Sequence, residues 1–248
     1  NGFDPSSTLT GSNVITLPDT VTELTNYANQ KCNGQDAVTL QTAFALSCNT
    51  AFVEMSEQLG ADELRKYAKA FGVGENYDLG VSTSAGTLGD LPDGAATAQS
   101  AIGQRDVTMT ALQAAVMAGT VANKGTRMQP YLVNRITDAQ MKDVRTTKPK
   151  KADQAVNEET AATLTDLMYA SERSSWGYDG NGFASKTGTA EHGEGLAPHV
   201  WYVAFDPERD IAVGVVVKNG GNLGESATGG KVSGPIGRAI LRAYQGEQ

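Results

Sequence analysis

The hydrophobic pattern of the first two thirds of the chain is helical. Apolar side chains recur every three or four residues in several stretches, and each such stretch predicts a helix with one buried face. The predicted helices cover residues 39–47, 50–59, 61–71, 111–123 and 158–173. Residues 1–36 are rich in Thr, Asn, Gly and Pro, and residues 72–98 in Gly, Pro and Ser, so both stretches predict irregular or short extended structure.

The last third of the chain changes to the pattern of β-strands. Residues 182–191, 200–205 and 211–218 are β-rich runs joined by short turns, which predicts an antiparallel meander. The turn over residues 206–210, with a proline between charged residues, is the clearest of the connections.

Two further elements complete the predicted fold. Residues 130–137 predict an edge strand that leads into a charged loop ending at Lys151. The chain ends on a predicted helix over residues 233–244, whose apolar residues are expected to face inward. Those residues are Ile236, Ile240 and Leu241. A helical part over about 37–175 and a sheet part over about 176–248 predict an α+β fold, in which helices pack on an antiparallel sheet.

Composition restricts the kind of protein that this pattern describes. With 40% hydrophobic and 19% charged residues among 248, the chain has the make-up of an ordinary folded domain. Its 28 acidic residues outnumber 20 basic ones, which argues against a nucleic acid partner because phosphate binding needs concentrated positive charge. The cluster from Lys148 to Lys151 is too short to change that conclusion.

The cysteines and histidines leave several interpretations open. Cys32 and Cys48 fit one structural disulfide, a pair of free thiols or a redox couple. Their spacing does not match the Cys-x-x-Cys pattern of redox motifs, and it forms no zinc-ligand pattern with the two histidines. For His192 and His199 a position in a loop or at a strand edge is favoured over a catalytic or metal role. Neither a metal site nor a cofactor is predicted.

Two short motifs place reactive side chains on predicted elements. Lys186, Thr187 and Gly188 lie on a predicted strand. An ammonium and a hydroxyl suit a carboxylate there, and a glycine lets a substrate backbone approach the strand edge. Ser47 and Asn49 lie between two predicted helices, where a hydroxyl can relay a proton and an amide can hold a carbonyl. Each motif is weak alone, because a solvated turn explains the first and a helix cap the second.

In the order S-x-N then K-T-G, the two motifs are those of penicillin-binding proteins and class A β-lactamases. Around them the chain resembles, nearly from end to end, the transpeptidase domain of class B penicillin-binding proteins. Four stretches carry this resemblance, namely residues 44–52, 102–113, 184–192 and 199–205.

The resemblance implies a fold and the composition of a site. The family fold is a five-stranded antiparallel sheet flanked by helices, with an all-helical part facing it across the active-site cleft. Residues 1–248 are then expected to be the C-terminal portion of one transpeptidase domain. The expected catalytic residues are Ser47, Asn49 and Lys186, the expected substrate-binding residues are Thr187, Gly188 and Thr189, and a Cys32–Cys48 disulfide is favoured.

The resemblance also implies an activity and a location. In the family an active-site serine attacks the penultimate D-alanine carbonyl of a peptidoglycan stem peptide, and β-lactams stall the enzyme at the acyl-enzyme stage. Stem peptides and β-lactams are the expected partners, with divisome or elongation proteins as further ones. The domain is expected outside the cytoplasm, anchored to the membrane through an N-terminal segment before residue 1.

The chain departs from the family pattern at the nucleophile. No serine is followed three residues later by a lysine, so the nucleophile helix and the first two strands are expected in a segment that precedes Asn1. A serine β-lactamase would need a loop glutamate that activates water, and nothing between Ser47 and Lys186 resembles that loop. A non-catalytic β-lactam sensor or divisome scaffold would suit the missing serine, but it would leave both motifs without a use.

Overall fold

Six α-helices are present in the described part of the chain. The computed structural model describes residues 2–193 and 195–246. The helices are α1 (Leu40–Leu46), α2 (Asn49–Ala70), α3 (Gly94–Ala101), α4 (Ala111–Ala122), α5 (Glu158–Ser174) and α6 (Ser233–Gly246). Local chemistry sets several of the starts, because the side chains of Thr39, Asp93, Thr110 and Asn157 accept a hydrogen bond from the first turn that follows.

Eleven short strands accompany these helices in the described residues. They are β1 (Thr8–Thr10), β2 (Val14–Thr16), β3 (Glu23–Thr25), β4 (Ala37–Thr39), β5 (Thr126–Met128), β6 (Arg135–Thr137), β7 (Asp143–Thr146), β8 (Lys151–Gln154), β9 (Ala184–Ala190), β10 (His199–Asp206) and β11 (Ile211–Val217). The last three form one antiparallel sheet in the order β11-β10-β9, and the others pair as β1-β4, β2-β3, β5-β8 and β6-β7.

The three-stranded sheet is covered by helices on both faces. On one face Tyr202 and Ala204 of β10 pack with Leu241 of α6. On the other face Ala184 and Phe205 pack with residues of α4 and α5. Alternate residues of β10 therefore point into two separate cores, as expected for a strand buried on both sides.

A further core holds the N-terminal strands against the first helices. It contains Leu9, Cys32, Val38, Leu40, Ala43, Cys48 and Ala51. A disulfide joins Cys32 to Cys48, with 5.7 Å between their Cα atoms. This core fixes the short connection between α1 and α2, where the first motif lies.

Most of the predicted elements lie where the sequence pattern places them. Helices α4 and α5 agree with the predicted bounds to within a residue, and the meander is present as β9, β10 and β11. Predicted helices 50–59 and 61–71 are continuous as α2, but Gly60 between them has a non-helical backbone (φ 78°, ψ 165°). Glycine tolerates this conformation, so the predicted break is local rather than a loop.

Three expectations were wrong in detail. The excursion over 72–98 contains the start of α3, whose small residues give no apolar periodicity. The predicted edge strand over 130–137 is present only in its last three residues, as β6, and the charged loop after it contains β7, which pairs with β6. All residues of β7 are exposed, so the sequence there shows no buried face. In α6, Ile236 and Ile240 are 44% and 45% exposed, because Gly237 packs directly on the Tyr202 ring and turns Arg238 inward instead.

None of the described helices combines the length and the apolar character that a membrane span requires.

Candidate active site

A hydrogen bond between α1 and the sheet brings the two predicted motifs together. Lys186 on β9 lies opposite Val203 of β10, a residue that packs against the α4 and α5 side of the sheet. Its Nζ donates to Ser47 Oγ at 2.8 Å and to the Thr187 carbonyl oxygen at 2.8 Å. The same Nζ lies 5.9 Å from the centre of the Phe44 ring. Residues 139 positions apart in sequence thus share one cleft.

Ser47 is held in a left-handed backbone conformation. It ends α1 with φ 60° and ψ 48°, a region that costs a non-glycine residue on the order of 1–3 kcal/mol. The turn is fixed on both sides, because the Cys48 N–H donates to the Ala43 carbonyl at 2.9 Å and the Cys48 side chain is tied to Cys32. Ser47 itself is exposed, so its hydroxyl is available in the cleft.

Asn49 begins α2, and its side chain bonds to the N-terminal part of the chain. Its Nδ2 donates to the Thr25 carbonyl oxygen at 3.1 Å. The alternative interpretation, in which a motif residue caps the start of α2, does not hold, because buried Asn26 accepts the Thr50 N–H through Oδ1 at 3.0 Å. The capping role of Asn26 was missed from the sequence, since its position in an irregular stretch gives no periodic signal.

The charge of Lys186 is perturbed by its surroundings. Burial lowers the pKa of Lys186 to about 8, because the neutral amine loses less hydration than the ammonium does. No carboxylate forms an ion pair with Lys186 among residues 2–193 and 195–246. An anion entering the cleft would therefore meet a cation whose charge no carboxylate of the described chain neutralises.

The rest of the K-T-G strand offers a free edge. β9 is the last strand of its sheet, so its outer side has no neighbouring strand in the described structure. Gly188 lies opposite Trp201, and a Cβ on Gly188 would lie 3.3 Å from the Trp201 Cβ. The Thr189 hydroxyl accepts the Gly229 N–H at 3.4 Å. Thr187, Gly188 and Thr189 are thus part of the strand that carries Lys186.

On the α6 side of β9, a buried carboxylate accepts hydrogen bonds from four side chains. Glu172 and Arg238 are 1% and 2% exposed and form an ion pair at 2.6 Å. Glu172 also accepts from Tyr202 Oη at 3.0 Å, from Asn181 Nδ2 at 2.9 Å and from the hydroxyl of Ser185. Ser185 directly precedes Lys186, so this cluster, called the Glu172 cluster below, fixes the strand from the face opposite the cleft.

The ionisation of the cluster follows from these bonds. Burial raises the pKa of Glu172, but hydrogen bonds from Arg238, Ser185 and Asn181 outweigh burial and leave the pKa below its ordinary value. Burial raises the pKa of Tyr202, which keeps its hydroxyl a donor. Sequence reasoning missed the cluster, because Glu172 of α5 and Arg238 of α6 each have the residue type that is typical of a solvated helix face.

The two histidines lie side by side after the K-T-G strand. Their ring centres are 4.0 Å apart. His199 Nδ1 accepts the Asn219 N–H at 3.1 Å, and His192 Nε2 lies 2.9 Å from the Ala197 carbonyl oxygen. No group of three or more metal-ligating side chains occurs in the described part of the chain. Both rings therefore contact the loops that connect the strands.

Comparison with known proteins relates this geometry to one family. A family model described as the penicillin binding protein transpeptidase domain matches residues 1–242. The chain is 43% identical over 251 residues to the peptidoglycan D,D-transpeptidase PbpA of Mycolicibacterium smegmatis, covering 98% of this chain and 51% of that protein.

Solved structures give the same relationship. A ceftriaxone acyl-enzyme complex of penicillin-binding protein A from M. tuberculosis superposes with a TM-score of 0.93 at 40% identity, covering 98% of this chain and 56% of that one. A penicillin G acyl-enzyme complex of the same protein gives 0.92 at 40% identity, covering 98% and 57%. The chain spans about half the length of the curated relatives it matches. These matches confirm the resemblance and the fold class inferred from the sequence.

Proposed function

This chain belongs to the penicillin-binding protein transpeptidase family, and from that membership we propose that it forms most of the active site of a peptidoglycan D,D-transpeptidase. The observation that carries the proposal is the 2.8 Å hydrogen bond from Lys186 to Ser47, which joins the S-x-N and K-T-G motifs across one cleft. The reaction is acyl transfer from one stem peptide to the amine of another, and β-lactams inhibit it by acylating the same nucleophile.

The nucleophilic serine, and the lysine that takes the proton of its hydroxyl, come from a segment that precedes this sequence. Two observations support this part of the proposal: no serine of the chain has a lysine three residues on, and the chain spans about half the length of its relatives. The described residues supply the remaining groups that acyl transfer needs, namely an anion site, a proton relay and a donor for the developing oxyanion.

Lys186 and Ser47 act on the leaving group. The terminal carboxylate of the substrate lies against the Lys186 ammonium and the Thr187 hydroxyl, since a cation without a carboxylate partner is the best site for an anion. The departing D-alanine nitrogen must gain a proton when its bond to the acyl carbon breaks. Ser47 Oγ donates that proton and receives one from Lys186 Nζ, along the hydrogen bond already present.

Thr189 supplies a main-chain donor for the oxyanion. Lys186 Nζ reaches the Thr187 carbonyl, which supports an outward orientation of the Thr187 backbone groups, and orientation repeats every second residue along a strand. The Thr189 N–H then also points outward, towards a substrate that lies along the free edge of β9. Gly188 leaves room for that substrate backbone between the two threonines.

Asn49 holds an amide of the substrate. One donation of its Nδ2, to the Thr25 carbonyl, sets the orientation of the side chain. It leaves the second N–H to hold a substrate carbonyl and Oδ1 as an acceptor. An acceptor on the helical side of the cleft complements the donors on β9, so that a bound stem peptide is held from both sides.

The proposal also covers the boundaries, the cellular location and the partners of the domain. Residues 1–248 are the C-terminal portion of one transpeptidase domain, which lies outside the cytoplasm and is anchored to the membrane by its upstream segment. Its partners are stem peptides, β-lactams and proteins of the divisome or elongation machinery. The disulfide between Cys32 and Cys48 fits an oxidising compartment.

Mass spectrometry tests the proposal on the protein that includes its upstream segment. After incubation with penicillin G, we expect one covalent adduct per chain, located by peptide mapping on a serine outside the present sequence. Absence of an adduct on folded protein would favour the sensor or scaffold function, and an adduct on Ser47 would contradict the role given to that residue.

A further inference from the structure

The segment from Tyr131 to Lys151, called the basic hairpin below, is the most exposed part of the described chain. All of its residues except Thr137 and Thr147 are exposed. β6 and β7 pack against each other, and no other described helix or strand makes extensive contact with either one. The Asp138 carboxylate closes the tip by accepting the N–H groups of Gln140 and Lys142, each at 2.9 Å. The hairpin is therefore an ordered projection outside every core of the fold.

Large apolar side chains of the basic hairpin are in contact with solvent. They are Tyr131 (41% exposed), Leu132 (65%), Val133 (47%), Ile136 (43%), Met141 (71%) and Val144 (67%). Such a concentration of exposed apolar side chains on a monomer marks a binding surface. A two-stranded ribbon is also marginal in water by itself, so a partner that covers these side chains would stabilise it.

The charge of the basic hairpin is opposite to that of the chain. It carries six Lys and Arg residues against two Asp residues, a net charge of +4 within a chain whose net charge is −8. Of the six cations only Arg135 forms an ion pair, with Asp143 at 3.7 Å, among the residues that the structure describes. Cations that protect a strand edge from aggregation would account for the charge, but they would not account for the apolar side chains beside them.

We propose that the basic hairpin is a docking site for an extended acidic segment of a partner protein, which adds as a third strand to β6 or β7. Opposite charge makes the partner acidic, and the two free strand edges offer main-chain hydrogen bonds to an extended chain. Val144 and Arg145 point to opposite faces of β7. A segment that alternates apolar and acidic residues matches both faces at once.

The distribution of the apolar residues argues against a lipid surface as the occupant. They extend from the base of the hairpin, at Tyr131 and Leu132, to Met141 near the tip, and they lie on both faces. The tip itself holds the Asp138 carboxylate, which would have to enter the bilayer interface first. Membrane-binding segments instead collect their apolar residues on one face or at the tip.

A defined peptide provides the test. The probe is a dye-labelled ten-residue peptide that alternates Glu and Val, compared with Gln-Val and Lys-Val peptides of the same length, in fluorescence anisotropy titrations of the protein. We expect saturable binding of the acidic peptide, at least tenfold tighter than either control, and weakened by salt. Equal affinity for the acidic and neutral peptides would overturn the proposal.

Surface variants locate the binding. Val144→Ser with Leu132→Ser, or Arg145→Glu with Lys148→Glu, should each weaken binding at least tenfold. Matched controls outside the hairpin are Val21→Ser with Val81→Ser, at positions 96% and 60% exposed, and Lys69→Glu with Arg173→Glu; both should bind as the parent does. Unchanged binding in the hairpin variants would overturn the assignment.

Two other occupants are distinguished by parallel measurements. The protein could sediment with phosphatidylglycerol vesicles without binding the peptide, and the hairpin variants could abolish that sedimentation. This result would replace the proposal with a membrane contact. Self-association in analytical ultracentrifugation that the hairpin variants abolish would replace it with a second copy of this chain. Circular dichroism of every variant checks that the fold is intact. We expect it to be, because the substituted residues are exposed.

Discussion

Replacing Glu172 by glutamine tests whether the Glu172 cluster holds the K-T-G strand in place. The substitution keeps the volume and one acceptor oxygen, but it leaves the Arg238 charge buried without a counter-charge. Removing one partner of a buried ion pair costs about 3–5 kcal/mol. We expect about 3 kcal/mol here, because glutamine still accepts a bond from Ser185 or Tyr202. In a domain of this size that corresponds to a decrease in Tm of about 6–12 °C.

The assay is thermal unfolding of the protein that includes its upstream segment, followed by circular dichroism, for Glu172→Gln, Arg238→Met and the double variant. The double variant should be more stable than the sum of the single effects predicts, because it removes both charges together. Glu63→Gln, in an exposed ion pair with Lys66, is the matched control and should leave Tm unchanged. If the Tm changes of the two single variants add up to that of the double variant, Glu172 and Arg238 do not stabilise each other and the reasoning is refuted.

The pH dependence of this effect has a defined sign. Because the folded protein lowers the pKa of Glu172 below 4.5, the ionised carboxylate stabilises the fold above about pH 4.5 and loses that effect as pH falls through the folded-state pKa. The Tm difference between the parent and Glu172→Gln should therefore be constant near neutral pH and shrink in acid. A difference that grows in acid would contradict the assignment of charge to this group.

Further predictions concern the cleft itself. Lys186→Ala should slow acylation by a fluorescent penicillin by a factor on the order of 10² to 10³, whereas Lys69→Ala should not, and an unchanged rate in the folded Lys186 variant would remove its role. Acylation by the parent should decline as pH rises through about 8, where Lys186 loses its proton; a constant rate to pH 10 would show that the ammonium is not required. Thr189→Ala should slow acylation less than Lys186→Ala does, since the proposed donor is a main-chain N–H, and the reverse order would contradict that proposal. Replacing Cys32 and Cys48 by serine should cost about 3 kcal/mol by the loop-entropy relation, measured by unfolding, and two free thiols in unfolded, unreduced parent protein would show that the bond is not formed in solution.

The elements that sequence analysis predicted well are those with one buried face. α4 and α5 repeat apolar residues at helical spacing, and β10 alternates between two cores, so their patterns report their burial. α3 was missed because its residues, Gly94–Ala101, are small and polar enough to look like a loop. β6 lies within the predicted edge strand, but β7 and β8 were missed. All residues of those two strands are exposed, and a strand without a buried face leaves no alternating pattern.

The motifs of the site could be found in the sequence, but their support could not. Spacing and residue type single out Ser47 and Lys186. The bond between them depends on the packing of α1 against α5 and of Phe44 against the core on that face of the sheet. Glu172 and Arg238 are 66 residues apart and each looks like a surface charge. The inward face of α6 was predicted from its isoleucines, but Gly237 decides it, because only a residue without a Cβ lets the helix approach the Tyr202 ring.

The two halves of the cleft are stabilised by independent means, and this explains how a single hydrogen bond can define the site. Ser47 directly precedes Cys48 of the core that contains the disulfide, and its strained backbone is fixed by that connection. Lys186 belongs to a strand that the Glu172 cluster holds from behind. Neither group is positioned by the other, so the 2.8 Å contact reports the relative placement of the two parts, which meet where α1 packs on α5. A change in either part would alter the distance across the cleft while the motif residues themselves stay the same.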